Sequence, residues 1–165
     1  MARRAIAVVV LLVLAAAGYV LWRGWQSDER EIRAALTALA DQFNASTTDG
    51  LGTVARAAQL GSYFSDDVIV DLGPGTAPIE RRDTLIGMAA RLQPRTSAFR
   101  VALDDVSVEM ADGNQDADVT LTVSFIRRSI TTGEQSVDAR EFALVMKKSV
   151  GRWRIARATA VDTLK

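Results

Sequence analysis

The sequence predicts an α+β domain: three helices packed on a bent, mostly antiparallel sheet that closes into a cone, carried behind one N-terminal transmembrane helix. Three observations predict it. Residues 5–22 run eighteen positions without a charge. Between Asp28 and Leu92 apolar residues recur mainly at helical spacing, interrupted by one short strand pattern. From Ala98 onward they alternate with the two-residue period of strands.

The leader comes first. Arg3 and Arg4 precede the run AIAVVVLLVLAAAGYVLW, and Tyr19, Trp22 and Trp25 cluster at its far end. At ~1.5 Å per residue, eighteen helical residues reach ~27 Å, close to the ~30 Å of a hydrocarbon core. The aromatic rings suit the membrane–water interface, and the two arginines favour a cytoplasmic N-terminus. A cleavable signal peptide ending at Ala15-Ala16-Ala17 is the competing reading. Cleavage there would leave the apolar terminus Gly18-Tyr-Val-Leu-Trp22, which favours a retained anchor. The expected organisation is thus residues 1–27 as anchor and juxtamembrane segment and residues 28–165 as one domain. It would be single-pass in the inner (cytoplasmic) membrane, with the domain in the periplasm or outside.

Composition narrows the chemistry. Setting aside Arg3, Arg4 and Arg23 from 20 basic residues leaves 17 against 20 acidic, a net of −3 on the exported part. That is not a polyanion-binding balance, so nucleic acid is not expected as a partner. The chain has no Cys and no His. Thiol nucleophiles, His bases and His metal ligands are therefore excluded, and no metal or cofactor is expected.

Ser27-Asp28 before Glu29 reads as a helix start, with Asp28 and Glu31 in the spacing of a capping box. Ile32, Ala35, Leu36, Leu39 and Phe43 give the first helix its apolar face. Asn44 to Gly52 is turn-rich, and Val54 to Leu60 forms a second helix ending at Gly61. Asp67 to Leu72 is a strand, Gly73-Pro74-Gly75 a turn, and Ala77 to Glu80 a short return. Arg82 to Leu92 regains helical spacing and stops before Pro94.

The sheet follows. Phe99, Val101 and Leu103 point one way, then Val106, Val108 and Met110 continue shifted by one residue, which places a β-bulge at Asp104-Asp105. Asp112-Gly113-Asn114 is a hairpin turn. Val119, Leu121, Val123 and Phe125 face inward on the next strand, and Thr132-Gly133 turns again. In Val137 to Lys148 the alternation moves from Val137 and Ala139 to Phe142, Leu144 and Met146, which predicts a second slip. Val150-Gly151 leads to a last strand through Trp153 and Ile155, ending near Val161.

Tyr63-Phe-Ser-Asp-Asp-Val-Ile-Val-Asp-Leu72, Pro78-Ile79, a helix holding Leu85-Ile86, and Gly151-Arg-Trp-Arg-Ile155 together resemble the nuclear-transport-factor-2-like superfamily with its cystatin-like cone. That superfamily contains SnoaL-like polyketide cyclases and ketosteroid isomerases. The Gly that usually opens the third helix is Arg81 here. Isomerase chemistry, as the resemblance implies it, needs a carboxylate base, a Tyr and a protonated acid at the developing enolate. Those positions fall on Leu72, Phe43 and Leu144, all apolar. The remaining carboxylate candidate is Asp71, one residue from the base position.

Phe43, Tyr63, Leu72, Phe99, Leu103, Phe125, Phe142, Leu144 and Met146 are expected to line the cone, as plain core or as walls of an apolar pocket. Asp66-Asp67 reads as a turn, and Glu80 to Asp83 as a solvated helix end. Arg127, Arg128, Arg140, Lys147, Lys148, Arg152, Arg154 and Arg157 decorate the strands, paired across them or presented to a partner, a second copy included. The expected function is a membrane-anchored, non-catalytic domain that binds a partner protein or a small apolar ligand. The alternative is a SnoaL-like isomerase or cyclase using Asp71.

Overall fold

A computed structural model describes residues 27–45, 50–91, 97–129 and 133–161. Helix α1 covers 27–44, and α2 is Gly50–Gly61. They are followed by β1 (Phe64–Asp71), β2 (Ile79–Glu80) and α3 (Arg82–Arg91), then β3 (Ser97–Met110), β4 (Asp116–Ser129), β5 (Gln135–Ser149) and β6 (Arg152–Ala160). The six strands form one sheet in the order β2-β1-β6-β5-β4-β3. Among the described residues no helix is long and apolar enough to cross a membrane; the apolar run 5–22 lies outside them.

The sheet is mixed. β1 joins β6 in parallel, Val70 opposite Ala158, while every other neighbouring pair is antiparallel. This parallel join was not expected, because a non-local pairing leaves no mark on the period of either strand. The bulge in β3 is present: the register against β4 shifts between Asp104 and Ser107, and Asp105 takes a φ of 52°. It keeps Val101 and Leu103, then Val106, Val108 and Met110, on the same face. The second predicted slip, in β5, is absent, since β4 and β5 pair without interruption from Asp116–Lys147 to Arg128–Gln135. Val137 and Ala139 simply belong to the outer face, with Val137 59% exposed. The irregularity lies instead in β6, where Ala156 is the extra residue between Ile155 and Arg157, opposite Met146 and Val145 of β5.

Alternation puts Val119, Leu121, Leu144, Met146, Trp153, Ile155 and Ala158 on the concave face with Val68 and Val70 of β1. Ile32, Leu36 and Ala40 of α1 are buried, and the first two belong to the same cluster. At ~25 cal/mol per Å² of apolar area removed from water, each such Ile or Leu contributes ~2 kcal/mol. Gly61 closes α2 where a Cβ would collide with the Ile86 side chain of α3.

Several turns use left-handed backbone, which suits Gly, Asn or Asp and penalises other side chains. Gly73 (φ 96°), Gly113 (φ 90°) and Asn114 (φ 53°) fit their positions. Arg81 (φ 72°) and Val150 (φ 50°) do not. Arg81 N–H donates to the Val68 carbonyl at 2.9 Å, and its own carbonyl accepts from Leu85 N–H at the head of α3. Val150 and Gly151 are the two-residue loop between β5 and β6, both at positive φ, the geometry for which Asn-Gly is preferred. Replacing Val150 by Asn and, separately, Arg81 by Gly should each stabilise the fold by about 0.5–1 kcal/mol. Urea unfolding of the variants beside the parent chain measures this; a lower midpoint for Val150→Asn would show that the valine is not strained.

Candidate functional site

Leu144 and Met146 are 6% and 1% exposed inside the main cluster, and Leu103 and Phe142 pack against it. Phe99 and Phe125, half-buried, stack at 5.9 Å farther along β3 and β4. Tyr63 sits half-buried between α2 and β1, its carbonyl accepting from Ile155 N–H at 2.8 Å.

Two of the expected lining residues are at the surface instead: Phe43 is 36% and Leu72 37% exposed. Phe43 shares a side of α1 with Ile32, but by that last turn the helix has reached the edge strand. Leu72 follows the end of β1, so no ladder holds it inward. Asp71 lies on the face opposite buried Val68 and Val70, and its Oδ1 accepts from Gly73 N–H at 3.0 Å. The carboxylate thus closes an Asx turn on the side away from the core. Asp66 pairs with Arg82 of α3 at 2.5 Å.

An open groove of ≈ 330 Å³ lies where α1 crosses β3, between Thr37, Ala40, Asp41 and Asn44 on one side and Arg100 to Leu103 with Ile126 on the other. Asn44 closes it by mimicking a strand: its amide donates to the Val101 carbonyl (2.8 Å), and its oxygen accepts from Val101 N–H (2.7 Å). Arg33 does the same job farther along the edge, donating to the Val106 carbonyl at 2.7 Å. Asp41 and Arg100 are the charged groups on the groove's walls.

A second cluster lies at the other end of α1. Asp28 is 7% exposed; its Oδ1 accepts from Lys148 Nζ at 2.5 Å and, at 3.4 Å, from the Trp153 indole N–H. The Lys148 ammonium also stands 5.6 Å from the Trp153 ring centroid and 4.0 Å from Glu31. The hydrogen bond that Lys148 donates to Asp28 raises the Lys148 pKa, outweighing the opposing effect of burial. The sequence reading took Asp28 for a helix cap and Lys148 for strand decoration. The signal was available: Asp28, Ile32, Leu36 and Ala40 step by four along one stripe of α1, and Lys148 shares the parity of Phe142, Leu144 and Met146. A charge on an apolar stripe requires a partner. Among the described residues no group of three or more Asp, Glu, His or Cys side chains could hold a metal ion.

Helices lying across the concave face of a curved mixed sheet define the cone-shaped class of α+β domains. The profile of the SnoaL-like domain matches residues 27–159, and the chain belongs to that family. Among solved structures it is similar to a protein provisionally named a scytalone dehydratase from Novosphingobium aromaticivorans. The TM-score is 0.68 at 14% identity, covering 84% of this chain and 86% of that one. ActVI-ORFA from Streptomyces coelicolor gives 0.66 at 10% identity, with 82% and 98% covered. An NTF2-like protein of cystatin-like fold, also from N. aromaticivorans, gives 0.66 at 14%, with 85% and 86% covered. Identities this low establish the shared fold alone. No curated protein matches the chain.

With Asp28 and Lys148 side chains 9% and 25% exposed, Asp28→Ala strands a partly buried ammonium and should cost about 2 kcal/mol at neutral pH. Lys148 has a raised folded pKa, so its contribution is complete below the ordinary lysine value of ~10.4 and fades as pH climbs through the folded one. The melting-temperature gap between the parent chain and Lys148→Met should therefore stay constant from pH 7 to about 10 and close above it. A gap already closing at pH 8 would contradict the pairing.

Proposed function

We propose that this chain is a non-catalytic SnoaL-like binding domain, held to the inner membrane by residues 5–22 and facing the periplasm or exterior, whose partner docks on the outer face of the sheet. The observation that carries the reading is the apolar concave face: Leu144 and Met146 are buried in the main cluster, and the positions that the resemblance assigns to catalysis set no carboxylate beside them. The name of one structurally similar protein suggests dehydratase chemistry instead. Such chemistry needs a base aimed into the cone, and the one carboxylate candidate, Asp71, is turned outward and engaged with Gly73.

The outer face has features that suit docking. Ala102, Ser124 and Ala139 align across β3, β4 and β5, as do Thr120, Ala143 and Thr159 across β4, β5 and β6. These small residues make a flat centre. Asp104, Glu109 and Asp118 lie toward the β3 side, which also carries Arg100 and Arg128 nearer the other end, whereas Arg157 lies on β6. A second copy related by a two-fold axis would set Arg157 of each chain against Asp104, Glu109 and Asp118 of the other, so the partner is a second copy of this chain. A reading as a small-ligand binder rests on the groove beside α1, whose ≈ 330 Å³ is at the small end of ligand sites.

Because the chain lacks cysteine, Thr122→Cys at the centre of this face supplies a unique cross-linking site. Oxidation of the detergent-solubilised full chain should give a covalent dimer, and adding Arg157→Glu should weaken self-association roughly tenfold. A monomer at all concentrations by light scattering defeats the self-association. A C-terminal alkaline phosphatase fusion reads the topology separately: high activity is expected, and an inactive fusion means the domain is not exported. Asp71→Asn keeps an acceptor for Gly73 N–H and should leave the melting temperature within about 2 °C of the parent. Loss of a turnover that the parent possesses would restore the enzyme reading.

A further inference from the structure

The tip of the β5–β6 hairpin combines three features that its role as a turn does not explain. Val150 is 95% exposed, and a β-branched side chain is held there at φ 50°. The flanking positions are cationic: Lys147 and Lys148 precede the tip, Arg152 and Arg154 follow it. Lys148 is neutralised by Asp28, and Asp116 stands opposite Lys147 in the ladder. Among the described residues Arg152 and Arg154 have no carboxylate partner. The Arg154 Nε is buried with no hydrogen-bond acceptor. The neighbouring β3–β4 turn is bonded to the hairpin through Lys148 N–H and the Gln115 carbonyl at 2.8 Å.

The position of this hairpin is fixed by the same contact that neutralises Lys148. Asp28 bonds Lys148, two residues from the tip, and lies six residues after Trp22, the last of the uncharged run. Six residues span at most ~20 Å even when extended. If residues 5–22 cross the bilayer, the pole of the domain that carries Val150 is the pole that faces it.

We propose that the β5–β6 hairpin is a second membrane contact: Val150 enters the interfacial layer while Arg152 and Arg154 meet anionic phospholipid headgroups, fixing the domain's orientation on the bilayer that holds its anchor. This rests on the anchored reading above. Apolar tips beside unpaired cations suit the headgroup–acyl boundary, where both terms add. The contact also accounts for a valine where the turn geometry asks for asparagine.

The absence of cysteine makes the test direct. In the full chain, Val150→Cys or Ser136→Cys takes an environment-sensitive fluorophore; Ser136 is twelve residues back along β5 from Lys148, up to ~40 Å away. The chain is reconstituted in phosphatidylcholine vesicles with and without phosphatidylglycerol, and flotation and emission are read together. The expected result is flotation in both, with the probe at 150 shifted to the blue and quenched by spin-labelled lipid, more strongly in the anionic vesicles. The probe at 136 stays water-like. Arg152→Glu with Arg154→Glu should abolish the anionic preference. Flotation with a water-like probe at 150 overturns the hairpin contact and leaves the anchor standing. Failure to float overturns both.

Discussion

The fold depends on how α1 is fixed across the concave face of the sheet. Its apolar stripe, Ile32, Leu36 and Ala40, supplies burial, but apolar contact has no direction and would tolerate a helix that slid or rolled. Polar contacts remove that freedom. Asp28 meets Lys148 and Trp153 at one end, Arg33 caps the Val106 carbonyl along the edge, and Asn44 pairs both ways with Val101 at the other. Each joins groups that would be costly to leave unmatched. The edge of β3, which would otherwise present a row of bare backbone groups, is partly covered by the same helix.

The bulge in β3 is the counterpart of that attachment. By spending one extra residue at Asp104 to Ser107, β3 turns without losing its inward face. Val106 then brings its carbonyl to Arg33 on the helix. The chain's family shares an architecture that elsewhere surrounds a ligand, but a fold only offers a cavity; the side chains decide whether it stays open. Here Leu144 and Met146 are buried in the main cluster, and Asp71 closes a turn on the face away from Val68 and Val70.

Local strain follows the same logic. Asp105 and Asn114 occupy left-handed positions that their short polar side chains tolerate. Arg81 and Val150 occupy equivalent positions without that tolerance, and each sits at a junction the fold cannot move: Arg81 between the β2 strand and α3, Val150 at a two-residue loop whose strands are already in register. A conflict between local preference and global fold is informative, because selection for stability alone would remove it.

The sequence by itself determined the class, the order of the elements, the bulge at Asp104-Asp105 and the glycine turns, because each is written in a period of two or 3.6 or in a residue that tolerates positive φ. It also marked Leu72, Phe43 and Leu144 as apolar where isomerase chemistry would need polar groups. Only the tertiary structure decided the rest. The parallel join of β1 to β6 and the pairing of Asp28 with Lys148, 120 residues apart, are choices among distant partners that no local period records. The partial exposure of Phe43 and Leu72 came from where their elements end, and the slip read into β5 was only the ordinary alternation of its two faces. A pattern fixes which side of an element is apolar; what that side meets is settled by packing the whole chain.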